Sequence, residues 1–260
     1  MKKRFYLIIA LCLVLLIPAG LYLYLDYKKS AQNSSAPNAE PLLPAISNVP
    51  VSGVSAPATT PSAETTKFIT DLQDPKVAES EKSRILAVLG KQKQVGAFPA
   101  LSAAAFNGSE KLQFEAILAV AQYEDPDLRL QTLDLIHDRC NDARLKSGLQ
   151  VLKAADRHVD LSELKALAAH SSDIFILKLL ALYAYDEDPD VRLSIIEWLE
   201  PYDKNNAKWI LVYLLKDEEF RKNDSLRLAL FFALKKWKNN QEVVQCITEH
   251  FDKEHYPEWF

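Results

Sequence analysis

The chain has 260 residues, 48% of them hydrophobic and 25% charged, with only six glycines and a formal net charge of −4. These proportions allow a globular portion with a sizeable core, and so little glycine favours helices. Setting aside residues 1–29, which hold five basic side chains and one acidic, leaves 26 Lys and Arg against 34 Asp and Glu, near −8. That balance opposes nucleic-acid phosphate and anionic lipid, and no basic stripe overrides it.

Residues 5–25, FYLIIALCLVLLIPAGLYLYL, are an uninterrupted uncharged run. As a helix it measures roughly 32 Å, matching a hydrocarbon layer of about 30 Å. A cleaved signal would need a shorter run ending in small residues, whereas Ile17 and Pro18 precede Ala19 and Gly20 and the apolar run continues past them. The reading is an uncleaved anchor over 1–29. Lys2, Lys3 and Arg4 outweigh Lys28 and Lys29, which Asp26 offsets. This bias predicts a single pass through the inner (cytoplasmic) membrane, with the N-terminus in the cytosol and the C-terminal domain periplasmic or otherwise extracytoplasmic.

Residues 30–67 turn to Ser, Ala, Pro, Thr and Asn, with prolines at 37, 41, 44, 50, 57 and 61. Such a stretch buries too little apolar surface to offset its ordering entropy and reads as a disordered linker, a spacer or else a Pro-rich docking motif. From residue 68 onward apolar residues recur three and four apart, which predicts helices near 75–90, 97–106, 110–123, 127–139, 142–155, 160–169, 173–185, 190–200, 205–216, 224–237 and 241–251.

Two of these helices open alike. YEDPDLRLQTLDLI begins at Tyr123, and YDEDPDVRLSIIEWL at Tyr185. Asp125 and Asp188 suit helix N-caps, Pro126 and Pro189 the first helical position, and Asp127 and Asp190 the positive end of the dipole. Leu128, Thr132, Leu133, Leu135 and Ile136 correspond to Val191, Ile195, Ile196, Trp198 and Leu199, 63 residues later. A weaker third copy, NDSLRLALFFAL, places Arg227 35 residues after Arg192. Spacings of 63 and 35 fit two units and one unit of a stacked helical hairpin.

At these residues the chain resembles HEAT-repeat proteins, whose D-P-x-V-R-like turns open the second helix of each hairpin. The resemblance runs over about 73–251 and implies an all-α, right-handed α-solenoid of HEAT-like hairpins over 68–260. It also implies that Asp125 or Asp127 with Arg129, and Asp188 or Asp190 with Arg192, bond between repeats as a ladder. Between 141 and 172, VDLSELKALAAH stands without the proline or the arginine, and the register of the repeat is open there.

No catalytic, cofactor-binding or metal-binding residue is predicted. Gly90 and Gly96 make no phosphate loop, and no G-x-S-x-G, G-x-G-x-x-G or H-E-x-x-H occurs. His137 and Cys140, with Asp138 and Asp142 nearby, read as a helix C-terminus followed by a buried thiol rather than as metal ligands. His158, His170, His250 and His255 stand singly. Cys140 and Cys246 lie some three hairpins apart, too far for a disulfide in such an array.

All four tryptophans fall after residue 197. Trp209, Tyr213, Trp237, Tyr256, Trp259 and Phe260 are read either as core and cap of the last hairpins or as an aromatic patch for a partner. The expected function is that of a membrane-tethered, non-enzymatic scaffold or adaptor for another envelope protein or peptide, without metal or nucleic acid. The alternative is a solenoid enzyme, lyase-like, with polar groups converging in a cavity. A HEAT-fold nucleic-acid binder is opposed by the charge.

Overall fold

The structure, a computed structural model, describes residues 62–154, 160–169, 174–202 and 205–251. The expected anchor at 5–25 and most of the expected linker lie outside them. Among the described residues no helix is long and apolar enough to cross a membrane, every regular element is helical, and there are thirteen α-helices and no strand.

The first helix, α1 (Ala63–Gln73), starts inside the stretch read as linker. Its cause is local. Ser62 accepts from the Thr65 amide as an N-cap, fully buried Thr65 donates to Gln94 Oε1 at 2.6 Å, and Phe68 enters the core. The hydroxyl-rich composition that argued against a core here supplies the cap and a tertiary bond. Next come α2 (Glu79–Gln92), α3 (Phe98–Asn107) and α4 (Glu110–Ala121), the last capped by Ser109.

Helices α5 (Pro126–Arg139) and α9 (Pro189–Leu199) open at the repeated turns as the sequence predicts. Asp125 and Asp188 accept the amides of Asp127 and Asp190, each at 2.9 Å, with proline at the first helical position. The third copy, α12 (Asp224–Leu234), is capped by Asn223 and preceded by a short helix, α11 (Glu218–Lys222), that the periodicity did not reveal. The others are α6 (Ala143–Ala154), α7 (Leu161–Ala168), α8 (Ile174–Tyr183), α10 (Asn205–Lys216) and α13 (Gln241–His250). Cys140 is the fully buried C-cap of α5, after His137 in the last turn. Cys246, also a buried thiol, sits elsewhere, 4.0 Å from the Val212 carbonyl.

Two helices take the middle of the packing. Burial is unbroken from Phe114 to Ala121 in α4 and from Ile176 to Tyr183 in α8. A helix apolar on every side needs neighbours on every side. Accordingly α4 packs on α2, α3, α8 and α10, and α8 on α4, α5, α7 and α9. An array in which each hairpin meets only its neighbours in sequence would not surround α4 in this way.

The exception is the hairpin α6–α7, which falls where the repeat signature lapses. Helix α6 packs on α5, and α7 on α8 and α9, while α4 goes directly onto α8. The 63 residues between the two turns thus include the hairpin α6–α7, while α4 and α8 are in direct contact. Several bonds between other helices recur at similar separations. Tyr123 to Leu89, Tyr202 to Ala168 and Cys246 to Val212 are each 34 residues apart, Tyr185 to Asp217 is 32, and Lys93 to Glu124 is 31.

Candidate functional site

The turn residues singled out in the sequence do come together, with different acids from those the resemblance implied. Arg129 donates to Asp186 Oδ2 at 2.8 Å, and Arg192 donates to the Asp186 carbonyl and lies 2.5 Å from Glu219 Oε1. Arg227 pairs with Asp224 on its own helix at 2.7 Å and reaches the Arg221 carbonyl. Asp125 and Asp188 are committed to capping, so their carboxylates serve their own helices, and no ion pair joins Asp127 or Asp190 to these arginines. Asp186, only 7% exposed, is the additional acid that makes the second turn YDEDP where the first reads YEDP. That insertion was the available signal for it.

A groove of about 780 Å³ runs between the two turns. Its three cations, Lys93, Arg129 and Arg192, are all paired, with Glu124, Asp186 and Glu219. The geometry there holds hairpins together, and its surplus charge is acidic.

A second cleft, of about 280 Å³, opens between α2, α4, α10 and the start of α13. Helical spacing aims its side chains. Trp209, Tyr213 and Lys216 stand at i, i+4 and i+7 on one face of α10, and Lys111 and Glu115 at i and i+4 on α4. Glu242, in the first turn of α13 behind the Asn240 cap, suits the positive end of that helix and is approached by Lys111 at 3.4 Å and Lys208 at 3.8 Å.

The floor of this cleft is chemically unusual. Glu115 is 5% exposed and its Oε2 has no hydrogen-bond partner among the described residues. The Tyr213 hydroxyl is also buried, near the Gln122 amide but without a well-formed hydrogen bond. Burial pushes the Glu115 carboxyl above its ordinary value, against the pull of Ser83, Lys111 and Lys216, and nearby Glu242 adds to the rise. Burial likewise raises the Tyr213 hydroxyl, reinforced by Glu115 and Asp217. Orphaned buried polar atoms each carry a desolvation cost of about 1–3 kcal/mol until water or a ligand meets them, so two in one recess mark it as the candidate site.

Of the aromatic candidates, Trp209 and Tyr213 line this cleft and are half-buried. Trp237 does not line it; it ends a 3-10 turn, Lys235–Trp237, and lies against the core with Lys236 Nζ 4.2 Å from its ring centre. Tyr256, Trp259 and Phe260 lie outside the described residues, as do His158, His170 and His255. Sequence reasoning missed Glu115, Lys111, Lys216 and Glu242. Glu115 had a signal, a single carboxylate within FEAILAVA, where every neighbouring residue is apolar. Among the described residues no group of three His, Cys, Asp or Glu side chains could hold a metal ion. No family model, no curated protein and no solved structure matches the chain.

Proposed function

We propose that the helical unit is a non-enzymatic scaffold that binds a peptide or protein of the cell envelope, held at the inner membrane by the anchor at 5–25 and the linker at 30–67. Its architecture is read as a right-handed α-solenoid of HEAT-like hairpins, departing from a simple row in that α6–α7 stands aside and α4 lies between α8 and α10. Bonds recurring at 31 to 34 residues between hairpins, and arginines reaching from one repeated turn to the next, support that reading. The function rests on one observation: a preformed cleft between α2, α4, α10 and the start of α13, with a half-buried tryptophan at its side and unsatisfied polar atoms among its lining residues. Tryptophan and tyrosine beside a recess are the side chains that most often dominate protein recognition.

The test is a photo-crosslinking residue at position 209 of the full chain in membranes, with position 151, on exposed Val151 of α6, as control. The expected result is a defined envelope protein joined to position 209 and absent from position 151. The enzymatic alternative also finds support in Glu115 and Tyr213, a raised carboxyl and a hydroxyl in one recess. Turnover of a small substrate that stops in Glu115→Gln, without any adduct at 209, would establish the enzyme and dismiss the scaffold.

A further inference from the structure

The ligand chemistry of the cleft follows from which of its charges are already used. Glu242 is shared by Lys111 and Lys208, Asp217 accepts from Tyr185 and caps α11, and Arg84 is held by Glu81 at 2.6 Å. Among the described residues neither Lys91 nor Lys216 has an ion-pair partner, and of these two lining lysines Lys216 stands one turn from Tyr213 on the face that looks into the cleft. The uncommitted charge is therefore positive. Beside it lie the two orphaned atoms, Glu115 Oε2 and Tyr213 Oη. A volume of about 280 Å³ falls just below the range of about 300–1,000 Å³ typical of drug-sized ligands, which suits one functional group with a short stem.

We propose that this cleft is a carboxylate-binding subsite, in which the carboxylate of a peptide, from its C-terminus or from an acidic side chain, pairs with Lys216 and takes hydrogen bonds from Tyr213 and Glu115. The proposal rests on the peptide-binding reading above and names what that peptide must carry. A carboxylate pairs with the Lys216 ammonium and accepts from the Tyr213 hydroxyl, and from Glu115 for as long as that carboxyl keeps its proton. An amine would meet that ammonium and find Glu242 and Asp217 taken. Glu115 acts as a donor only while it keeps its proton, which burial favours. The titratable and polar groups that share the recess with it are Ser83, Arg84 and Lys91 from α2, Lys111 from its own helix, Tyr213 and Lys216 from α10, Asp217 just after α10, and Glu242 from α13.

The experiment titrates the full chain in lipid nanodiscs by calorimetry with three probes: N-acetyl-phenylalanine, N-acetyl-phenylalanine amide and N-acetyl-aspartic acid α-amide. At least one carboxylate probe should bind about tenfold or more tightly than the phenylalanine amide, since one charge-assisted contact is worth about 1.5–3 kcal/mol. Preference for the first or third probe identifies a main-chain or a side-chain carboxylate. Lys216→Met, an exposed position whose variant is checked by its thermal transition, should lose that preference. Glu115→Gln keeps a donor but cannot ionise. Parent affinity should fall as pH rises and Glu115 ionises, and the Gln variant should lose this dependence. Equal affinity for acid and amide, no binding of any probe, or an unchanged preference in Lys216→Met overturns the subsite. An adduct at 209 together with equal acid and amide binding removes the subsite and leaves the scaffold. Carboxylate binding without any adduct does the reverse.

Discussion

At the residue scale Glu115 carries the sharpest consequence, because it is buried with a carboxyl oxygen unpaired. Its value lies above 4.5 in the folded chain, with burial as the leading cause, and returns to about 4.5 on unfolding. Between those two values the folded state keeps a proton that the unfolded state has released. Stability from this group is therefore complete below 4.5 and is lost as pH rises through the folded value. Glu115→Gln removes the titration while keeping shape and one donor. Urea midpoints measured from pH 4 to pH 8 should fall less in the variant than in the parent, and the variant should be the more stable at pH 8. Parallel profiles would show that the carboxyl is solvated. Lys178 repeats the logic with the opposite sign. It is 4% exposed, lies 4.6 Å from the Phe106 ring centre and is lowered to about 8 by burial, with nearby Arg139 adding to the effect. Its folded value is below its unfolded one, so its contribution improves as pH rises past 8.

At the scale of elements, the repeated turns assign distinct tasks to neighbouring aspartates. Asp125 and Asp188 accept main-chain amides at 2.9 Å, whereas Asp127 and Asp190 act through the helix dipole. Alanine at 125 or 188 should lower stability by about 0.5–2 kcal/mol, and alanine at 127 or 190 by about 0.3–1 kcal/mol, both read from urea midpoints. Equal losses at the paired positions would contradict this division. Packing between elements has its own test at Gly90, where an added Cβ would stand 3.0 Å from the Ala119 Cα, a backbone atom that cannot swing aside. Gly90→Val should cost about 1–3 kcal/mol through α2–α4 overpacking, although valine is a better helix former than glycine. Helices and caps were legible in the sequence because spacing and capping chemistry are local: DP with its flanking acids fixed α5 and α9, and apolar recurrence fixed α4, α8 and α10. The partners of Arg129 and Arg192 were not, since Asp186 lies 57 residues from Arg129, with α6–α7 between them, and Glu219 lies 27 residues from Arg192. The cleft was half legible. Trp209 and Tyr213 stood out by type, whereas Glu115 gained its meaning only once α2, α10 and α13 had closed around it.

At the scale of the folded unit the question is how cooperatively the helices hold together. A chain of hairpins that touch only in sequence order can lose its end while its beginning stays folded, since its stability is a sum of units and nearest-neighbour interfaces. Here α4 meets both α8 and α10, and Lys111 in α4 reaches Glu242 in α13 across 131 residues. Removing the last hairpins would strip α4 of a wall and expose a helix that is buried without a break from Phe114 to Ala121. Early and late helices should therefore unfold together. Tryptophan fluorescence reports the late half, because every tryptophan lies at or after residue 198, and far-ultraviolet circular dichroism reports all helices. The two urea transitions should coincide. A lesion in the late half, Phe231→Ala at a fully buried ring in α12, should cost about 3–5 kcal/mol and lower the hydrogen-exchange protection of amides in α4 as much as in α12. A fluorescence transition that precedes the dichroism, with α4 amides still protected in Phe231→Ala, would show that the late hairpins peel away by themselves and that the contacts of α4 with α10 add little to the fold.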